Sequence, residues 1–302
     1  MSIERSEQEP LTAPPFPPNR TEISAEEVAN FHTLRERLVL RGSLVAQTGL
    51  RIGGGDSDEL NAVDLPVMRD ADGFPFIPGS SLKGAIRATL EALVRGADLP
   101  PTSGLWACDP LLEAESDQRN GTGSCGWHRR GRHDAVKLEQ HCCICRILGS
   151  RAVASHVRFS DLLLQERAWR GRRRLPIELR DGVAIDRDLR TVHNSQKYDF
   201  EVVSPGARFT LEVFVDNPSP WAMGLLTVGF DQLHEGFTAL GGFTSRGLGR
   251  VSLHWDSLER LDARSLLEGK GVEKLNGDDL LERLEKYRQA LALVVKEAQH
   301  VS

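Results

Sequence analysis

The sequence has no apolar run long enough to cross a membrane as a helix. Its first 20 residues, MSIERSEQEPLTAPPFPPNR, also lack the apolar core of a secretory signal peptide. These absences argue against a membrane or secreted protein, so we expect a cytoplasmic protein without a membrane partner. A length of 302 residues suits one large domain with insertions or two smaller domains.

Cysteine is scarce, odd in number and confined to one stretch. The five cysteines all lie between positions 108 and 145. A framework of paired disulfides does not explain an odd, clustered set in a chain without a secretion signal. We therefore expect thiols that are reduced or that bind a metal.

Several signals of nucleotide-binding proteins are absent as well. The formal net charge of −5 excludes a protein that is basic over its whole surface, although a local basic face for nucleic acid is still possible. The GxxxxGK[ST] spacing of a Walker A loop does not occur. No strand carries the aromatic-rich motif with which standard RNA-recognition motifs stack bases.

Hydrophobic periodicity and turn residues predict an α+β fold. The predicted elements are a strand over Arg37–Thr48, a helix from Ser80 or Ser81 to Arg95, strands over Ser155–Leu164 and Arg208–Val215, a helix over Pro220–Leu240, a strand over Leu248–Trp255 and a helix over Asp278–Gln299. Without insertions the order is β-α-β-β-α-β, as in ferredoxin-like and RNA-recognition-motif folds. This order serves many functions and does not decide among them.

The first motif is FIPGSSLKGAIR, at residues 76–87. A glycine turn leads into a helix whose first amides are free, with serine hydroxyls and Lys83 beside them. Free amides and the helix dipole favour an anion such as phosphate. The alternative is a well-capped helix with one exposed lysine.

The second motif is GGFTSRGLGRV, at residues 241–251. It lies between a predicted helix and a predicted strand, whereas a dinucleotide fingerprint needs a strand before the loop and a helix after it. A backbone-rich loop with Arg246 suits contacts to phosphate or ribose. The alternative is a flexible turn.

Together these motifs resemble the RAMP superfamily, the repeat-associated proteins of CRISPR systems. The resemblance is greatest to the Cas-seven-like backbone subunits of type III effectors. It includes IGGGDSDELNAVDLPVMRD at residues 52–70 and spans about residues 36–256. It implies a subunit that stacks with other effector subunits into a filament along a guide RNA (crRNA), with a projecting thumb that interrupts the guide–target RNA duplex.

The resemblance suggests how the chain is divided. We expect a flexible tail and short helix at 1–33, a RAMP (RRM-like) domain at 34–260, a zinc-binding insertion at about 97–150, a thumb-like insertion at about 165–205 and a C-terminal helical extension at 261–302.

The resemblance also places a set of residues along the RNA. They lie in both motifs, in the preceding glycine loop and in the thumb: Gly53, Gly54, Ser80, Ser81, Lys83, Arg87, Arg187, Gly242, Ser245 and Arg246. The thumb segment is rich in arginine, with no acids among residues 170–174, and arginine pairs with phosphates and stacks on bases. The alternative is a solvated charged loop.

Asp64 matches the loop carboxylate with which catalytic members of the family cut target RNA near each thumb. A carboxylate can hold Mg²⁺ or Mn²⁺ and can help to position a ribose hydroxyl. Asp56, Asp58 and Glu59 in the same loop are rival candidates, and Asp64 also suits a simple turn before Leu65-Pro66-Val67.

The cysteines include the metal knuckle Cys142-x-x-Cys145, which Cys108 and Cys125 complete as a tetrahedral Zn²⁺ site. A structural zinc would stabilise an insertion that has little core of its own. His128, His133 or Cys143 can replace Cys108 or Cys125 in this set, and reduced structural thiols are the alternative. Related subunits carry a zinc finger before a Leu-Phe-Gly-Ser segment, and Leu148-Gly149-Ser150 occupies that place here.

Three functions follow from these observations. The first is a guide-binding, metal-dependent endoribonuclease subunit that cuts target RNA. The second is a filament subunit that binds the guide without cutting. The third is a nuclease that processes precursor crRNA, for which His193 would be the only convenient base, although a surface histidine without a catalytic role is favoured there.

Overall fold

The computed structural model describes residues 33–54, 63–99, 103–109, 125, 141–151, 153–165, 175–185 and 192–299. The strands are β1 (Glu36–Ala46), β2 (Phe76–Ile77), β3 (Val157–Phe159), β4 (Leu162–Leu163), β5 (Ile177–Ile185), β6 (Val192–Val203), β7 (Arg208–Asp216), β8 (Val251–Asp262) and β9 (Glu273–Leu275). The helices are α1 (Gly79–Gly96), α2 (Cys143–Leu148), α3 (Pro220–His234), α4 (Ala263–Leu267) and α5 (Gly277–Gln299). Over these residues, no helix combines the length and apolarity needed to cross a membrane.

Five antiparallel strands form the main sheet, in the order β3-β7-β1-β8-β9. Alternation along β1 and β7 places Leu38, Leu40, Val213 and Val215 on one face. This face and the apolar sides of α1, α3 and α5 belong to one buried core. The predicted mixture of helices and strands is therefore confirmed, and the sheet is antiparallel.

Strand β8 contains a bulge at Asp256, where it pairs with the central strand β1. The register shifts between Arg41 and Gly42, so that Arg41 faces Ser257 and Gly42 faces Trp255. A Cβ atom at position 42 would lie 2.1 Å from the carbonyl oxygen of His254. Position 42 therefore requires glycine, because the backbone of β8 approaches it too closely for a side chain.

Helix α1 begins differently from the prediction. Ser80 or Ser81 was expected to cap it, but the N-cap residue is Pro78 and both serines lie in the first turn. Asp161 satisfies the first amide instead, because its Oδ1 accepts a 2.8 Å hydrogen bond from the Gly79 amide. The cap comes from a residue far along the chain, which local sequence rules do not reveal.

Several other predicted elements have different bounds. The predicted strand Ser155–Leu164 is two short strands, because β3 pairs with β7 while β4 pairs with β2. Helix α3 ends at His234, six residues before the predicted end at Leu240. Strand β8 continues to Asp262, beyond the predicted end at Trp255.

The C-terminal helix α5 packs on α3 and contributes to the main core. Leu280, Leu284 and Tyr287 are buried in that core. The Arg288 guanidinium donates two hydrogen bonds to the Asp231 carboxylate, at 2.7 and 2.8 Å. The residues after 260 therefore help to bury α3 and extend the main core.

We predict that Leu284→Ala lowers the free energy of unfolding by about 2–5 kcal/mol, because it removes a fully packed side chain from the core. Leu281→Ala, one turn away on the exposed side of the same helix, is the matched control and should change stability by about 0.5 kcal/mol or less. Urea unfolding of the purified chain measures both. Equal losses would contradict the placement of α5.

Candidate functional site

Two glycine-rich stretches, about 190 residues apart in the sequence, lie side by side. The amide of Gly242 donates to the carbonyl of Arg51 at 2.8 Å, and the amide of Gly249 donates to Gly49 at 2.9 Å. Gly241 has φ +87°, and a Cβ there would lie 2.2 Å from the Arg51 oxygen. Only glycine fits at that position, which explains why the motif pairs so closely with the loop that holds Gly53.

The hairpin β5–β6 is joined to this pair of loops at its base. The backbones of Leu50 and Val203 exchange two hydrogen bonds, of 3.0 and 2.7 Å. The hairpin and the second motif also share a small separate core, in which Phe200, Val202 and Leu248 are buried and Phe243 packs against them. The base of the hairpin and the two glycine loops therefore form one structural unit.

Two guanidinium groups lie over one aromatic ring in this unit. The guanidinium carbons of Arg51 and Arg246 are 4.9 and 4.8 Å from the centre of the Phe243 ring. The edge of Phe200 contacts the same ring at 5.0 Å between centroids, and Arg246 donates to the Tyr198 hydroxyl at 2.6 Å. Two cations on one ring favour an anion nearby.

Neither of these arginines is neutralised within the described part of the chain. No described carboxylate lies within ion-pair distance of Arg51 or Arg246, although many other arginines have such a partner. The Nε atom of Arg51 is buried without a hydrogen-bond partner. Phe243 has a left-handed φ of 58°, which is uncommon for a residue other than glycine and is typical of functional loops.

Arg51 and Phe243 were not predicted as site residues. Both lie close to the glycines of the two motifs, since Arg51 comes two residues before Gly53 and Phe243 directly follows Gly242. This adjacency was the signal available in the sequence. Their importance depends on the contact between the two loops, which single-sequence reasoning does not supply.

Asp64 is exposed and is held against β6. Its Oδ2 accepts a 2.9 Å hydrogen bond from the amide of Asp199, and the amide of Leu65 donates to the carbonyl of Asp199 at 3.1 Å. Asp64 therefore lies beside β6, level with the Asp181–Asp199 pair about midway along the hairpin. The rival carboxylates Asp56, Asp58 and Glu59 lie outside the described residues.

Glu201 fixes the chain that follows Asp64. Its carboxylate accepts from the amide of Val67 at 3.0 Å and from the guanidinium of Arg69 at 2.7 Å. The amide of Gly54 in turn donates to the carbonyl of Pro66 at 3.0 Å. These contacts attach the Asp64 segment to β6 on one side and to the first glycine loop on the other.

The structure brings together six of the predicted residues: Gly53, Gly54, Asp64, Gly242, Ser245 and Arg246. Ser80, Ser81 and Lys83 lie on the first turns of α1, and none of the described hydrogen bonds joins them to the glycine loops. Burial, followed by the nearby charge of Arg87, lowers the pKa of Lys83. Arg187 lies outside the described residues, as do the other arginines at 167–174.

Four cysteines form a separate cluster. The Sγ atoms of Cys108, Cys125, Cys142 and Cys145 all lie within 4.8 Å of one another, and all four side chains are buried. The Cys108 and Cys145 sulfurs are 3.6 Å apart, close to the separation of about 3.8 Å that a tetrahedral site with Zn–S bonds of about 2.3 Å requires. No disulfide joins them. Their chemistry and spacing fit a metal ion, and zinc in particular.

Cys143 and the histidines have different positions. The Cys143 thiol donates to the carbonyl of Trp106 at 3.2 Å, outside the cluster, and burial raises the pKa of this thiol. Cys143 therefore does not replace a member of the predicted set in this structure. His128 and His133 lie outside the described residues.

Arg87 serves the cysteine cluster. Its guanidinium donates to Glu91 at 2.7 Å, to the carbonyl of Gly149 at 2.7 Å and to the Sγ of Cys145 at 3.1 Å. Burial opposes its charge, but Cys145 and Glu91 together outweigh burial and raise the pKa of Arg87. Since these donors are engaged inside the protein, we leave Arg87 out of the proposed RNA contacts.

Three proteins with the same name are similar to parts of this chain. The 'CRISPR system Cms endoribonuclease Csm3' of Methanocaldococcus jannaschii is 48% identical over 60 residues, which is 20% of this chain and 24% of that protein. The protein of the same name from Methanothermobacter thermautotrophicus is 30% identical over 123 residues, 40% of this chain and 36% of that protein. The one from Mycobacterium tuberculosis is 47% identical over 64 residues, 20% of this chain and 27% of that protein.

These alignments span between 24% and 36% of the length of the relatives. The family match is longer, because the model of the RAMP superfamily matches residues 43–252. That range includes both glycine motifs, Asp64, the four clustered cysteines and the hairpin. The chain therefore belongs to the RAMP superfamily, as its motifs predict.

Proposed function

We propose that this chain is a crRNA-binding backbone subunit of a type III CRISPR effector and that it cuts target RNA. The observation that carries the RNA-binding proposal is the arrangement of Arg51 and Arg246 around Phe243. Guanidinium groups without a protein counter-ion bind phosphates, and an exposed edge of such a stack suits a nucleobase. The names of the relatives support the choice of a type III CRISPR subunit.

The proposed core is ferredoxin-like, with β1, α1, β3, β7, α3 and β8 as its β-α-β-β-α-β elements. The sheet order β3-β7-β1-β8 supports this assignment, since it is the strand order of that fold. The hairpin β5–β6 is the proposed thumb. We further propose that the guide RNA lies along the glycine loops. Because glycine has no bulky side chain, the backbone amides of these loops can approach phosphates closely.

We propose that Asp64 carries the cleavage of target RNA. Its position beside β6 supports this proposal, because an exposed carboxylate there would lie against the hairpin that we propose to be the thumb. Mg²⁺ or Mn²⁺, bound by Asp64 and RNA oxygens, would supply charge stabilisation at the phosphate undergoing cleavage. Asp64 would hold and orient the reacting ribose hydroxyl, while Glu201 keeps the Asp64 segment on β6.

We propose that the four clustered cysteines hold a structural zinc ion. The buried sulfurs support this assignment. The ion would hold residues 103–109 and α2 together at the edge of the main core.

A guide-binding subunit that does not cut is the second candidate. The hydrogen bond from the Asp199 amide to Asp64 favours it, because it gives this carboxylate a structural role. The third reading, processing of precursor crRNA, has no support from the described side chains, since that of His193 is not among them.

We predict that Asp64→Asn lowers the rate of target cleavage by about a hundredfold or more in the reconstituted complex with Mg²⁺. Asparagine can still accept the hydrogen bond from Asp199, so assembly and guide binding should persist. RNA cleavage assays with and without EDTA measure the effect. Wild-type rates in a complex that contains only the variant would refute the catalytic role and leave the scaffold function.

We predict that Arg51→Gln with Arg246→Gln weakens guide binding about tenfold or more, because charge-assisted contacts to phosphate are lost. The dependence of affinity on salt should become shallower, by about one unit of slope for each lost contact. Titration of guide RNA at several salt concentrations measures both quantities. Arg264→Gln, at an exposed arginine on α4, is the control. Unchanged affinity and slope in the double variant would contradict the proposed RNA site.

We predict that Glu201→Ala slows target cleavage about 10- to 100-fold with guide binding intact, since the Asp64 segment loses its attachment to β6. The cleavage rate of Glu201→Gln should lie between those of wild type and Glu201→Ala, because glutamine keeps an acceptor for the Val67 amide. Single-turnover cleavage measures the rates. The control is Glu235→Ala, at the exposed C-cap residue of α3. Equal rates for all variants would show that Glu201 does not position Asp64.

A further inference from the structure

Helix α1 carries three charged residues on the side that faces the cysteine cluster. Arg87, Glu91 and Arg95 are spaced four residues apart, so they form a line along the helix. The Glu91 carboxylate accepts from Arg87 at 2.7 Å and lies 4.0 Å from Arg95. Only 7% of the Glu91 side chain is exposed. We call these residues the charged clasp.

The clasp contacts both chain segments that supply the clustered cysteines. Arg87 donates to the Sγ of Cys145 at 3.1 Å and to the carbonyl of Gly149 at 2.7 Å. Arg95 donates to the carbonyl of Cys108 at 2.7 Å. Cys108 and Cys145 belong to segments 37 residues apart in the sequence. One face of α1 therefore contacts the two sides of the cluster.

Burial of a carboxylate and a guanidinium costs free energy unless both charged groups are paired and hydrogen-bonded. An apolar pair at positions 87 and 91 would pack α1 at lower cost, so packing alone does not account for the clasp. Four thiolates around Zn²⁺ carry net negative charge, and a donated N–H···S bond together with a nearby cation stabilises such a group. The clasp supplies both, at Cys145.

We infer that Arg87 is a positioning residue for the Cys145 ligand, and that the charged clasp couples metal occupancy to the order of α1. The inference rests on the zinc assignment of the proposed function. Lys83 lies one turn before Arg87, so the helix start that carries Ser80, Ser81 and Lys83 is joined to the metal through one helix. Loss of the metal would then loosen the part of α1 that the first motif occupies.

Metal release tests the inference on the purified full-length chain. A chromogenic zinc chelator should remove zinc from Arg87→Met about 10- to 100-fold faster than from wild type. Arg87→Lys keeps the charge without the planar fork and should be affected less. Arg264→Met, at an exposed arginine on α4, is the control and should match wild type. Equal release from all four proteins would overturn the inference.

Cobalt substitution separates positioning of the ligand from simple loss of packing. In Arg87→Met the thiolate-to-Co²⁺ charge-transfer band should move to longer wavelength, because a sulfur without its N–H donor is a stronger electron donor. A band at the wild-type position would overturn the role at Cys145. If Arg87→Met does not fold, Arg87→Leu, whose side chain also lacks an N–H donor, provides the same comparison.

Hydrogen exchange tests the coupling to the helix. Removal of zinc from wild type should speed amide exchange across residues 83–96, and zinc-loaded Arg87→Met should show part of that change. Unchanged protection of α1 after metal removal would overturn the coupling. A wild-type chain that binds neither zinc nor cobalt would remove the metal assignment and the inference together, while the RNA affinities of the Arg51 and Arg246 variants would still test RNA binding separately.

Discussion

The candidate site depends on two backbone hydrogen bonds between Leu50 and Val203. They join the loop after β1 to the base of β6, and β6 then organises both sides of the site. The backbones of Asp199 and Glu201 hold the Asp64 segment, while the side chains of Tyr198 and Phe200 contact Arg246 and Phe243. One strand thus sets the position of the acidic group and of the basic, aromatic group relative to each other.

The arginines of this fold have different kinds of partner. Arginines on the open face of the sheet, such as Arg37 and Arg41, form ion pairs with neighbouring carboxylates, as expected for structural charges. Arg51 and Arg246 contact an aromatic ring instead and have no acidic partner among the described residues. Arg87 contacts a sulfur and a buried carboxylate. The surroundings of each guanidinium, more than its place in a motif, indicate its function.

The sequence predicts those features that depend on local order. Alternation revealed β7, apolar spacing revealed α1, and the Cys142-x-x-Cys145 knuckle indicated the cysteine cluster, because each signal lies within a few residues. Two other features depend on partners that are distant in the sequence: the cap of α1 by Asp161, and the break between β3 and β4. Arg87 was assigned to RNA because its motif suggested it, and only the tertiary contact with Cys145 shows its other role.

The central claim is that the surface around Phe243 contacts guide RNA, and photo-crosslinking tests it most directly. A photoreactive benzoylphenylalanine would replace Phe243 in one protein and Phe237 in another, in complexes assembled with labelled crRNA. Phe237 is the matched control, since its side chain is 79% exposed and lies outside the site. We expect RNA crosslinks at position 243 and none above background at position 237. Crosslinks at 237 alone, or at neither position in an assembled complex, would contradict the proposed RNA surface.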